Sequence, residues 1–186
     1  MGPSELLSKV AGVLDRMKVE YFVTGSVATM AYSESRMTND VDIVVALPLS
    51  RIAEFCESFP PQEYYVSVEA AKQAILHQSQ FNIIHPESGF KADIIIPSRT
   101  DFNRSRFSRV RRLRAVPGLD VAFSSPEDAI IMKMQYYKDG ESEKHVRDIA
   151  TVMQVNGDTI DRGYIETWAE ELDLMVVWKA ILTRLG

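Results

Sequence analysis

Asp40 and Asp42 stand two residues apart in Arg36-Met37-Thr38-Asn39-Asp40-Val41-Asp42-Ile43-Val44-Val45. The run that follows them is apolar and β-branched, which suits a buried strand. Side chains two apart on a strand point to the same face, so the two carboxylates lie side by side. Paired acids repel unless a cation lies between them, and hard oxygen ligands suit Mg²⁺. A third acid, Asp93, has a similar setting in Phe90-Lys91-Ala92-Asp93-Ile94-Ile95-Ile96. Three carboxylates on hydrophobic strands predict one or two Mg²⁺ ions at Asp40, Asp42 and Asp93, and metal-dependent phosphoryl or nucleotidyl transfer. Taken singly, each acid reads as a loop residue (Asp40), an edge charge (Asp42) or a solvated strand residue (Asp93); together they read as a site, because apolar strands avoid unpaired acids.

A second element sits upstream. Thr24-Gly25-Ser26 leaves the short strand Tyr21-Phe22-Val23 and enters a helix from Val27 to about Tyr32. A glycine lets phosphate approach the backbone, and the serine hydroxyl and helix-start amides can donate to it. Between this turn and the acids lies a polar loop, in which Arg36 is placed to steady the loop or contact phosphate and Thr38 to order the turn. Farther on, Lys133 lies among Ile130, Ile131, Met132 and Met134. It either reaches a triphosphate as a point charge or snorkels from a half-buried helix face. Asp148 pairs with Lys133 or another cation, or is a surface partner of Lys144 four residues away.

The elements that must position these groups follow from periodicity. Leu6, Leu7, Val10, Val13, Leu14 and Met17 give an amphipathic helix with Ser4 as its cap. Pro48 opens a helix that stops before Pro60-Pro61, and another helix spans Glu69 to His77. Tyr64-Tyr65-Val66 reads as a short strand. Phe81 to His85 and Phe90 to Ile96 form strands joined by the loop Pro86-Glu87-Ser88-Gly89, and Leu119 to Phe123 is one more strand. At Ser125-Pro126-Glu127-Asp128 a capped helix begins. Three or four helices follow, with breaks near Gly140, Gly157 and Asp173. The expected class is α+β: a small mixed β-sheet flanked by helices over 1–124, with a helical part over 125–186 packed on it.

Charge is unevenly spread. The chain has 186 residues and a net charge of −5, yet Arg99 to Arg114 holds seven arginines and one acid, Asp101. That block either contacts an RNA or DNA acceptor, stabilises a triphosphate, or pairs with acidic helices; Phe102 and Phe107 within it leave base stacking open. No apolar run approaches membrane-spanning length and no signal peptide is visible, so no membrane partner and a cytoplasmic setting are expected. The single cysteine, Cys56, reads as a packed thiol. His77, His85 and His145 lack zinc-ligand spacing, and no Gly-x-x-x-x-Gly-Lys loop occurs. Trp168 and Trp178 fall in amphipathic stretches and read as core or interface.

Gly25-Ser26, then Arg36-x-Thr38-x-Asp40-x-Asp42, then the lone Asp93 resembles the signature of the DNA polymerase β-like nucleotidyltransferase superfamily. The Arg-x-Thr-x-Asp-x-Asp form is similar to that of abortive-infection-type toxin and other minimal bacterial nucleotidyltransferases, and of some antibiotic nucleotidyltransferases. Pro126-Glu127-Asp128, Lys133 and Val146-Arg147-Asp148 resemble the toxin-type helical pattern, in which a lysine and an aspartate approach the nucleotide. The Arg-x-Lys-Asp run of that type is matched only loosely by Glu143 to Asp148. The resemblance covers roughly residues 20 to 150. It implies transfer of a nucleoside monophosphate from a nucleoside triphosphate to an acceptor hydroxyl. Gly25, Ser26, Arg36, Thr38, Lys133 and Asp148 would bind nucleotide; Asp40, Asp42 and Asp93 would be catalytic. RNA such as a tRNA end, a protein, and a small antibiotic are the acceptors in view. The rival expectation is a non-catalytic nucleotide-binding regulatory module, or a toxin-antitoxin component, on the same fold.

Overall fold

The computed structural model describes residues 1–32, 40–116 and 119–185. Arg36 and Thr38 lie outside them. Seven strands form one mixed sheet in the order β3-β4-β5-β2-β1-β7-β6. These are β1 (Tyr21–Thr24), β2 (Asp40–Val45), β3 (Tyr65–Val66), β4 (Gln80–His85), β5 (Phe90–Ile95), β6 (Arg111–Val116) and β7 (Leu119–Phe123). β2 runs parallel to β5, and β1 parallel to β7; the other pairs are antiparallel. The expected α+β class is the one observed.

Helix α1 (Pro3–Met17) buries Leu6, Val10, Val13 and Leu14 against the sheet. Its cap is Gly2 rather than Ser4: the Gly2 amide donates to Glu5 Oε2 at 2.6 Å. Pro3 fits the first turn because its missing N–H has no partner to lose there. α2 (Gly25–Ala31) starts directly at the turn glycine, two residues before the expected start. After Pro48 a single 3₁₀ turn precedes α3 (Ile52–Glu57), and α4 (Val68–His77) follows, capped by Ser67. Cys56 is buried, and burial pushes its thiol up.

The arginine block contains two elements that its composition hides, α5 (Asp101–Ser108) and the edge strand β6. Then come α6 (Pro126–Gly140), α7 (Glu143–Asn156), α8 (Arg162–Glu171) and α9 (Met175–Leu185). Ser125 caps α6, accepting from the Asp128 amide at 3.1 Å. These four helices bury Ile130, Ile131, Ile149, Ile165, Trp178 and Ile181 in a second core. Tyr32 and Phe102 join that core from the sheet-bearing part, and Leu113 packs against both cores. The seam is pinned by polar contacts: Tyr32 Oη donates to the Ser124 carbonyl at 2.8 Å, and Asn156 Nδ2 to the Tyr32 carbonyl at 2.8 Å. No helix among the described residues is long and apolar enough to cross a membrane.

Candidate active site

Strand register builds the site. Asp42 pairs with Asp93 across the parallel β2–β5 ladder, and Asp40 with Lys91. Asp42 also faces Thr24 on β1, while Asn82 on β4 faces Asp93. Residues opposite one another on neighbouring strands share a face. Asn82, Asp93, Asp42 and Thr24 therefore form one row across four strands. The alternation that defines the face is clear on β2, where Val41 and Ile43 are buried on the other side.

The row runs straight into the glycine turn. Thr24 ends β1 and Gly25 begins α2 with φ +65°. A Cβ placed on Gly25 would stand 1.9 Å from Asp42 Oδ2 and 2.8 Å from Asp42 Cγ. The Asp42 carboxylate therefore lies directly over the Gly25 Cα. Only a residue without a side chain fits, for two reasons: the left-handed backbone and the carboxylate itself. Turn and acid are a single packed unit.

Electrostatics in the row are strained toward negative. Burial, followed by the charges of Asp93 and Asp40, raises the Asp42 carboxyl above its ordinary value, with Lys133 and Lys91 opposing. A group in this position is relieved by any nearby cation. Lys91 already supplies one: its Nζ donates to Asp93 Oδ1 at 3.2 Å and Oδ2 at 3.0 Å, and lies 3.8 Å from Asp40 Oδ1. As the side chains stand, no group of three His, Cys, Asp or Glu among the described residues forms a ready cation cage. The donor chemistry nonetheless suits a hard divalent ion, because Asp40, Asp42 and Asp93 offer carboxylate oxygens and burial and like charge raise the Asp42 carboxyl until further positive charge is near.

A cavity of about 420 Å³ opens beside Gly25, Ser26 and Asp42. Its far wall is helical: Lys133, Tyr136, Asp139 and Gly140 from α6, and Lys144 and His145 from α7. Lys133 is thus brought to the acids, across the seam between the two cores. Its Nζ donates to Asp148 Oδ2 at 2.7 Å, and both side chains are buried. Asp148 sits behind Lys133, and this buried pairing replaces the surface role beside Lys144. Burial, then the charge of Asp42, raises the Tyr136 hydroxyl. Sequence reasoning passed over Lys91, Asn82, Tyr136, Asp139, Lys144 and His145. Lys91 carried a usable signal, since it precedes Asp93 by two on the same strand face. The others meet the site only through tertiary packing.

A larger hollow of about 910 Å³ lies at the opposite end of β2 and β5, lined by Val45, Leu47, Ile96, Arg99 and Phe107 among others. Size does not choose between the two. Asp42, the glycine turn and Lys133 all line the smaller one.

Beneath the turn runs a buried polar network. Arg106 Nη2 donates to Thr24 Oγ1 at 3.3 Å and Nη1 to Asn103 Oδ1 at 3.0 Å. Its guanidinium lies 4.7 Å from the Phe22 ring centre and 5.6 Å from that of Phe102, and burial lowers it from its ordinary value. Asp128 accepts from Ser125 Oγ at 2.7 Å and Tyr164 Oη at 2.8 Å. Burial outweighs those bonds and raises its carboxyl. Glu127 behaves oppositely: burial alone would raise it, but the Asp161 amide at 3.1 Å and Arg109 at 3.0 Å hold it low.

The arginine block pairs with carboxylates of the same chain, mostly at the surface. Arg104 pairs with Asp101, Arg109 and Arg111 with Glu127, Arg112 with Asp15 at 2.6 Å, and Arg114 with Asp120 at 3.2 Å. Arg109 also lies 3.9 Å over the Tyr164 ring. Phe102 is buried against Trp168, and Phe107 meets the Phe22 ring edge-on at 4.9 Å. Phe102 is withdrawn from base stacking, whereas Phe107 is half-buried and lines the larger hollow; the contacts of this block describe a salt-bridged face.

No protein-family model and no curated protein matches this sequence. Solved structures do resemble it. An antigenic nucleotidyltransferase-like protein from Paracoccidioides brasiliensis aligns with a TM-score of 0.55 and 21% identity, over 81% of this chain and 75% of its own. The ANT(2")-Ia structure in complex with adenylyl-2"-tobramycin gives 0.57 at 13% identity, over 98% of both chains. The lincosamide antibiotic adenylyltransferase LnuA, with lincomycin bound, gives 0.55 at 13% identity, over 83% of this chain and 98% of its own. The chain has the nucleotidyltransferase fold.

Proposed function

We propose that this protein is a divalent-metal-dependent nucleotidyltransferase that moves a nucleoside monophosphate from a nucleoside triphosphate to an acceptor hydroxyl, releasing pyrophosphate. One observation carries the reading: the Asp42 carboxylate rests on the bare Cα of Gly25, so that a phosphate-binding turn and an acid row are built as one piece. In this reading the helix-start amides and Ser26 receive phosphate oxygens. Asp40 and Asp42 hold Mg²⁺, with Asp93 completing the row. The metal, when bound, neutralises triphosphate charge and favours departure of pyrophosphate. Lys133, held by Asp148, presents a second positive charge from the opposite wall of the cavity. Most of the rate then comes from positioning and charge neutralisation, as phosphoryl transfer requires little covalent chemistry from the protein.

The acceptor proposed is a small polyhydroxylated molecule, as in the tobramycin and lincomycin complexes of the similar structures. The arginines already have carboxylate partners within the chain, so a nucleic-acid acceptor would have to compete with these pairs. The test is incubation with Mg²⁺ and each labelled triphosphate against separate RNA, protein and aminoglycoside or lincosamide pools. Label transfer with pyrophosphate release, lost in Asp42→Asn, is expected. Triphosphate binding without pyrophosphate release from any pool would instead mark a regulatory module.

A further inference from the structure

Lys91 and Asp93 are two apart on β5 and share the face of Asp40 and Asp42. The four side chains form a square of three anions and one cation, register-paired as Asp40 with Lys91 and Asp42 with Asp93. The ammonium engages both Asp93 oxygens, at 3.2 and 3.0 Å, and leans to Asp40 at 3.8 Å. Asn82, with its amide turned to donate, adds a third contact to Asp93 Oδ1 at 3.1 Å. Asp93 thus takes three donor contacts from its own strand and the next, out of the about four a carboxylate accepts. The other lysine facing Asp42, Lys133, is committed to Asp148 at 2.7 Å. Within this square one ammonium stands against three carboxylates, and it is Asp93 that it engages most closely. A second ion at Asp93 would have to displace a doubly bonded ammonium, or sit beside it and be repelled.

We propose that Lys91 is this chain's own substitute for a second metal ion: it keeps Asp93 neutralised, and the site takes up one divalent cation, held by Asp40 and Asp42 together with the triphosphate. This rests on the nucleotidyltransferase reading of the same carboxylates. A compact ammonium with three donors suits the place, since it can serve two carboxylates at once and needs no coordination shell. Asp93 then acts as the anchor of Lys91 rather than as a direct ligand.

Counting ions tests this without turnover. Mn²⁺ is titrated into the full-length protein with a non-hydrolysable triphosphate analogue, and bound ions are counted by electron paramagnetic resonance. One ion per chain is expected for the wild type and for Lys91→Arg, and two for Lys91→Met. In the absence of nucleotide, Lys91→Met should bind Mn²⁺ about tenfold more tightly, because a like charge beside the site is gone. The Lys91 side chain is 36% exposed, and circular dichroism checks the variants' folding. If Lys91→Met fails to fold, the wild-type count decides alone. Two ions in the wild type, or one ion at unchanged affinity in a folded Lys91→Met, overturns the proposal and leaves the nucleotidyltransferase reading standing. No Mn²⁺–nucleotide complex on the wild type overturns both.

Discussion

Replacing Gly25 by alanine isolates the feature on which the site depends. Two penalties arise and can be separated. The backbone penalty comes from φ +65°, a left-handed conformation that costs an L-residue about 1–2 kcal/mol. In a chain of this size each kcal/mol lowers the melting temperature by about 2–4 °C. The steric penalty comes from the new methyl, which would lie 1.9 Å from Asp42 Oδ2 and 3.1 Å from Asp42 Cβ. Ordinary contact between such atoms needs about 3.5 Å, so the carboxylate must retreat by roughly 1.5 Å or swing off its rotamer. Misplacement on that scale costs about 100-fold or more in rate where catalysis rests on positioning. Gly89 supplies the control: its φ is +72°, and a Cβ there meets nothing within 4 Å. Gly89→Ala should therefore lose a similar increment of stability and keep its activity. The assay is pyrophosphate release, giving kcat/KM, beside thermal melts of both variants. If Gly25→Ala retains wild-type kcat/KM, or if Gly89→Ala loses activity to the same degree, the claim that Gly25 exists to seat Asp42 is wrong.

Asp42→Asn should abolish transfer yet melt higher than the wild type at neutral pH when metal is absent. The Asp42 carboxyl is raised by burial and by Asp93 and Asp40, so its contribution to stability is complete below the ordinary aspartate range. That contribution is lost as pH rises through the raised folded value; the two proteins should converge in acid, and melts across pH check this. Lys133→Met should cost about 1.5–3 kcal/mol, the worth of a charge-assisted hydrogen bond, because the buried contact to Asp148 is lost. Adding Asp148→Leu should restore part of the stability in a denaturant titration without restoring activity, which separates the lysine's pairing with Asp148 from its proposed role toward the triphosphate. Arg106→Met should cost about 3 kcal/mol or more in the same titration, since the buried guanidinium serves Thr24 and Asn103 and offsets Asp128. It should also raise KM for triphosphate through the loosened turn.

Much of the site was legible because it is written in strand grammar. Alternation placed Asp40 and Asp42 on one face. The apolar run around Asp93 named its strand, and Pro86 to Gly89 named the hairpin that joins it to β4. Ser125 announced α6 through cap chemistry alone. The arginine block resisted because its elements break the hydrophobic periods. On α5 the buried positions are Phe102 and Arg106, so an arginine occupies a place where an apolar residue would have marked the helix. β6 is an edge strand, and arginines on an edge find partners on neighbouring elements instead of alternating with core residues. The pairing of Lys133 with Asp148 joins two helices across 15 residues and has no local pattern at all.

The placement of the cavity follows from the same economy of parts. The acids belong to the sheet and Lys133 to the second core, so neither hydrophobic unit carries the whole arrangement. A displacement at the seam would separate Lys133 from Asp42. Polar contacts cross the seam beside the apolar ones: Asn156 with Tyr32, Ser105 with Tyr164, and Arg109 with Glu127. Buried polar networks of this kind are a costly way to gain stability, because apolar packing of equal volume often does as well. What they supply is direction, since a hydrogen bond constrains angle and register where apolar contact tolerates sliding. Arg106 reaches the residue immediately before Gly25, and Asp128 stands at the start of the helix that carries Lys133. The network therefore ties together the two walls between which a triphosphate would lie. Loosening it should impair nucleotide affinity before it unfolds either core.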